Sequence, residues 1–159
     1  MTVHPEPSPA LPCAIAPFVP QTQGMCLLDR IVAVGDNDLS AEITPSTEDV
    51  FARDDGIPGW VALEWLAQAV AAWAGWHGAQ RGEPPAPGFL IGTRRFTTTR
   101  DRFAFGETLR VTVSLEFRAD NGLGHFHGEL HGGDGIRLAH GSLTVFQPDS
   151  NDDALDDNR

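Results

Sequence analysis

The run Trp60-Val-Ala-Leu-Glu-Trp-Leu-Ala-Gln-Ala-Val-Ala-Ala-Trp-Ala-Gly-Trp-His-Gly-Ala79 decides how this chain folds. Read as a helix it is apolar on nearly every side. Glu64 and Gln68 are the only strongly polar side chains between Gly59 and Gly75. A helix that is hydrophobic all round is surrounded by protein rather than water. The turn Asp54-Asp55-Gly56-Ile57-Pro58-Gly59 precedes it and places a proline near the first helical turn. The segment from Trp60 to Trp76 is short for a membrane span and is interrupted by Glu64 and Gln68. It therefore reads as a buried helix of a soluble protein.

Outward from the helix, both flanks read as strands. Met25 to Val34 and Leu39 to Thr44 form a hairpin across Gly35-Asp36-Asn37-Asp38, with Leu39, Ala41 and Ile43 alternating. After the Pro/Gly linker from Gly82 to Gly88 come four more runs: Phe89 to Thr99, Thr108 to Arg118, Gly124 to Leu130 and Ile136 to Phe146. Hairpin signals stand at Asp120-Asn121-Gly122 and at Gly132-Gly133-Asp134-Gly135. One flat sheet covers only one side of a helix, so a fully apolar helix requires a sheet that curls around it. The predicted fold is α+β, an antiparallel sheet wrapped around one long central helix. Residues 1–16, rich in proline, are expected to be a disordered leader, 17–148 the domain, and 149–159 an acidic disordered tail.

The chain has 159 residues, enough for one well-buried domain, and no internal repeat. Its formal net charge of -11 excludes general binding to duplex nucleic acid or anionic lipid, which require a positive footprint. All 11 basic residues are arginine. Cys13 and Cys26 have neither metal-ligand spacing nor a disulfide framework, which points to a reducing compartment. No basic residue precedes Arg30 and prolines break the early apolar stretch, so no secretory signal is expected and the cytoplasm is the predicted location. No phosphate-cradling glycine loop and no nucleophile elbow is present, and no cofactor is implied.

The polar stripe on the helix is the candidate site. Glu64 and Gln68 lie four residues apart, on one face. A carboxylate beside Trp60, Leu63, Trp65 and Leu66 would be desolvated, which raises its pKa toward a useful acid–base range. Gln68 could orient it by a hydrogen bond, and the Gly59 N–H could polarise a carbonyl oxygen. Trp60 and Trp65 could line an acyl or aryl tunnel. Arg94, Arg95, Arg100 and Arg102 gather four of the 11 basic residues. His125, His127 and His131 share a strand face with Glu129, opposite the apolar Phe126, Gly128 and Leu130. That histidine face points away from the helix and reads as a solvated surface rather than a zinc or nickel site, so no metal is expected.

Pro58-Gly59-Trp60-Val61-Ala62-Leu63-Glu64-Trp65-Leu66-Ala67-Gln68 resembles the helix motif of the hot-dog-fold beta-hydroxyacyl-acyl-carrier-protein dehydratases. Pro20-Gln21, seven residues and Asp29-Arg30 match the spacing of that family's first motif. Phe89 to Phe96 and Gly106-Glu107-Thr108-Leu109 resemble the strands that follow the helix. The likeness runs from about Phe18 to Phe146 and is nearest to the dehydratase-like proteins of aryl polyene pigment clusters.

The resemblance implies a hot-dog fold in which Glu64 is the catalytic acid, followed by Gln68. It also implies that Gln21 stands where the family has its histidine base, and glutamine abstracts no proton. Family sites lie at a dimer interface, base and acid coming from different protomers. A homodimer would lack the base, whereas a heterodimer with a His-bearing hot-dog protein would complete one site with Glu64. The implied reaction removes water from a (3R)-hydroxyacyl thioester of acyl carrier protein or coenzyme A. Arg94 and Arg95 would then meet the acidic carrier and its pantetheine phosphate. The alternatives are an acyl thioesterase that uses Glu64, and a non-catalytic hot-dog subunit of a heterodimeric dehydratase.

Overall fold

The apolar run forms one long helix, α1 (Val61–Gln80), with Trp60 at its N-cap position. The computed structural model describes residues 8–21 and 23–147. Among the described residues no side chain caps the helix start. A tight backbone approach holds it instead, because the Gly59 N–H donates to the Asp101 carbonyl at 2.7 Å. A side chain at Gly59 would collide with the Arg100 carbonyl, so glycine is required there.

Among the described residues nine strands accompany the helix: β1 (Cys13–Ala14), β2 (Arg30–Val34), β3 (Asp38–Ile43), β4 (Ile57–Pro58), β5 (Phe89–Thr98), β6 (Arg102–Phe103), β7 (Leu109–Arg118), β8 (Leu123–His131) and β9 (Arg137–Phe146). Seven of them make one antiparallel sheet in the order β1-β2-β3-β7-β8-β9-β5, while β4 and β6 form a separate two-stranded ribbon. The sheet wraps α1, giving the expected hot-dog architecture. Period-two alternation drives the wrapping: Gly124, Phe126, Gly128 and Leu130 of β8 turn inward, and the intervening residues face out. Trp65 and Leu66 are buried at the centre of the core, and the Trp65 ring packs on Phe103 with centroids 5.1 Å apart.

Three expectations change. Residues Cys13–Ala14 pair with Arg30–Ile31 and Ile15 is buried, so the end of the expected leader belongs to the fold. Residues 1–7 and the expected tail, 149–159, lie outside the described residues. The first strand is shorter than predicted, because Gln23–Met25 is a 3-10 turn and pairing begins at Arg30. The reason is long-range: the Gln68 amide takes the backbone groups of Met25 and Leu27 that a longer strand would have used.

The third change concerns the helix itself. Its own sheet does not surround it. Trp60 is 53% exposed and Glu64 is also exposed. Ala67, Ala71 and Ala74 continue that stripe and are only half-buried. The sheet ends at β5, an edge strand that leaves Leu90 and Ile91 exposed beside this flank. No helix is long and apolar enough to cross a membrane among the described residues.

Candidate active site

Glu64 sits on the uncovered stripe of α1 and lines a pocket of about 200 Å³ between the helix, β5 and the end of β9. Gln21 and Gln147 supply the other polar walls, and Ala67, Ala71, Leu90 and Val145 are among the apolar ones. Among the described residues no histidine lines the pocket. The predicted desolvation of Glu64 rested on a helix enclosed by its own chain. The carboxylate is instead exposed, because the sheet stops at β5.

Gln21 and Glu64 therefore line one pocket of the same chain, whereas the resemblance puts base and acid on different protomers. The Gln21 side-chain oxygen is buried and has no hydrogen-bond donor among the described residues. A buried amide oxygen without a partner is uncommon.

Gln68 does not orient Glu64. Its Oε1 accepts from the Leu27 N–H at 2.8 Å and its Nε2 donates to the Met25 carbonyl at 2.7 Å. Both ends of the amide are engaged, so Gln68 clamps the segment before β2 onto the helix. Gly59 is likewise committed: its N–H donates to Asp101, leaving no donor for a substrate carbonyl. The two tryptophans also separate. Trp65 is 1% exposed and belongs to the core, not to a tunnel. Trp60 is on the surface, its ring edge-on to Phe51, beside an open depression that also includes Pro58 and Arg102.

The arginine cluster divides in the same way. Arg100 pairs with Glu107 at 2.8 Å and Arg102 with Asp55 at 3.0 Å. Arg94 and Arg95 are exposed and make no ion pair among the described residues. Arg95 lies in a bulge of β5 against β9 and has a positive φ of 55°, which is uncommon for a residue with a side chain.

The histidines lie elsewhere. His125, His127 and His131 are on the outer face of β8, with His140 across from Glu129 on β9. Glu129 accepts from Arg137 at 3.1 Å and lies 3.5 Å from His127. His77, near the end of α1, is 3.0 Å from the Gly35 carbonyl. Among the described residues no group of three or more His, Cys, Asp or Glu is placed to hold a metal ion. Sequence reasoning missed Gln147 and Val145 as pocket residues. No local signal marks them, since only the β9–β5 pairing brings them to the helix flank.

Comparison with known proteins fits this geometry. A chain of the dehydratase heterocomplex ApeI:P from Xenorhabdus doucetiae is similar at 31% identity and a TM-score of 0.80, covering 95% of this chain and 100% of that one. The E. coli PaaI protein from the phenylacetic acid degradation operon shares 13% identity, with a TM-score of 0.57 over 75% of this chain and 78% of its own. Thioesterase superfamily member 2 from Mus musculus shares 14%, with a TM-score of 0.57 over 73% and 79% of the two chains. These two likenesses show the fold alone. Among curated proteins there is no sequence match. The ApeP dehydratase model matches residues 13–156, and with the 31% identity over nearly the whole chain it follows that this protein belongs to the ApeP-like dehydratase family.

Proposed function

We propose that this chain is one subunit of a two-subunit dehydratase that removes water from 3-hydroxyacyl thioesters, with Glu64 as its acid. One observation carries the reading: among the described residues the pocket holds a carboxylate but no histidine, on the helix stripe that the chain's own sheet leaves bare. A helix apolar all round with one uncovered flank requires a second protein surface. The β5 edge beside it offers unpaired strand backbone with Leu90 and Ile91 exposed. A hot-dog partner seated there would cover the stripe, dry the Glu64 pocket and bring a histidine to it. The similar ApeI:P protein is a heterocomplex, which supports this assembly over a homodimer.

In the reaction the partner's base takes the proton from C2 of the thioester. The Glu64 carboxyl gives its proton to the 3-hydroxyl, which leaves as water while the C2–C3 double bond forms. Arg94 and Arg95, exposed on the edge strand, suit the phosphate of a carrier-bound pantetheine arm.

The test is turnover of a 3-hydroxyacyl carrier-protein substrate by this chain, alone and with a His-bearing hot-dog partner. Activity is expected only in the complex, and Glu64→Gln should lower it roughly a hundredfold to ten-thousandfold. A complex indifferent to Glu64→Gln would leave this chain a non-catalytic subunit. Release of free thiol from acyl-coenzyme A by the chain alone would make it a thioesterase.

A further inference from the structure

The same pocket contains a polar group that the proposed acid chemistry does not use. Gln21 lines it together with Glu64, and its oxygen is buried with no donor among the described residues. The contrast with Gln68 is informative, because that amide makes two backbone hydrogen bonds and is fully accounted for. An amide whose oxygen has no partner loses no hydrogen bond to that atom when it turns. The terminal torsion of glutamine is broad, so rotation would let the oxygen turn toward the pocket that Gln21 lines. A donor from a bound molecule would then satisfy a group that the protein leaves unsatisfied.

We infer that Gln21 is the hydroxyl-recognising residue of this pocket, accepting a hydrogen bond from the 3-hydroxyl of the acyl chain; this rests on the dehydratase reading. A hydroxyl has one hydrogen and two lone pairs. With the hydrogen held by the Gln21 oxygen, a lone pair is free to receive the proton of the Glu64 carboxyl. The amide is suited to the task because it carries no proton that titrates. It fixes which way the hydroxyl points without competing for the proton that Glu64 delivers. Gln21 is thus a positioning residue for the leaving group and a source of preference for hydroxylated over plain acyl chains. Of the remaining lining Gln147 is polar, whereas Ala67, Ala71 and Leu90 are apolar and do not distinguish the two.

The test measures binding to the full chain of two N-acetylcysteamine thioesters of equal length, 3-hydroxyoctanoyl and octanoyl. The wild type should prefer the hydroxylated thioester by about tenfold, the worth of one hydrogen bond to a group otherwise unpaired. Gln21→Met, similar in length but without the acceptor, should bind both equally. Gln21→Glu keeps an acceptor oxygen and should retain the preference. Because the readout is a ratio within one variant, a general loss of stability does not imitate it. A preference that persists in Gln21→Met overturns the inference. Equal binding of the two thioesters by the wild type overturns it as well, without touching the role of Glu64. Binding of neither overturns it together with the reading that this pocket takes the acyl group.

Discussion

The helix flank and the outer face of the sheet differ in how their polar groups are partnered. On the outer face His127, Glu129 and Arg137 interlock, and Arg30, Glu42 and Arg110 do the same at the other end of the sheet. Four of the six histidines project from that face, yet its charges balance one another. Among the described residues the helix flank carries only Glu64, Gln21 and Gln147 as polar walls, and the Gln21 oxygen has no partner. The number of titratable side chains is therefore a poor guide to chemistry. Polar groups left unsatisfied beside an apolar pocket are a better one, since an unpaired buried group costs free energy that a ligand can recover.

The largest effect should come from the flank. Glu64→Gln removes the proton donor and keeps the shape, so turnover by the complex should fall roughly a hundredfold or more while the melting temperature holds. Glu129→Gln on the outer face should leave turnover unchanged. A reversed result would move the site to the histidine face. Next are the two tryptophans of the same helix. Trp65→Ala opens a cavity against Phe103 and should cost about 3–5 kcal/mol in denaturant unfolding. Trp60→Ala, at a position 53% exposed, should change the chain's own stability by no more than about 0.5 kcal/mol. If a partner covers this flank, Trp60→Ala should instead weaken the complex, by about 2 kcal/mol for a buried aromatic anchor.

Gln68→Leu should have the next largest effect. It removes both backbone contacts to Met25 and Leu27 and leaves a buried N–H without an acceptor, a loss of about 1–3 kcal/mol. The loss should appear in unfolding and in faster amide exchange over residues 23–29. Unaltered exchange there would show that the clamp is not what holds this segment.

These pairs show how far the sequence could be read. The helix, the wrapped antiparallel sheet and the inward and outward faces of β8 follow from local periodicity, which adjacent residues reveal. The position of Glu64 on a distinct stripe was legible for the same reason. The exposure of that stripe was not, because it depends on where the sheet ends, and the sheet ends at β5 only through its pairing with β9. Trp60 and Trp65 look alike in sequence and differ only in which side of the helix the sheet covers. The partners of Gln68 lie more than 40 residues away, and no spacing rule points to them. Gly59 was legible as a helix start, but Asp101 takes its donor across the β4–β6 ribbon.

The smallest predicted effect tests whether the outer face is as self-contained as its geometry indicates. Burial pushes the Glu129 carboxyl up, but hydrogen bonds from Arg137 and His127 outweigh it, and the net shift is downward. At Glu42 the hydrogen bond from Arg30 leads, burial opposes it, and Arg110 adds to the lowering. A carboxyl whose folded pKa lies below its unfolded value, about 4.3 for Glu, contributes stability above that value. The contribution disappears as the pH falls through the folded pKa, when the proton breaks the ion pair. Acid unfolding should therefore steepen below about pH 4.3, and Glu129→Gln should flatten that limb slightly. The effect is modest because both networks are partly solvated, and it should shrink in high salt. An acid limb in Glu129→Gln as steep as in the wild type, at low and high salt alike, would mean that the interlocked charges of this face contribute nothing to folding. The balance of charge that separates it from the helix flank would then be geometric only.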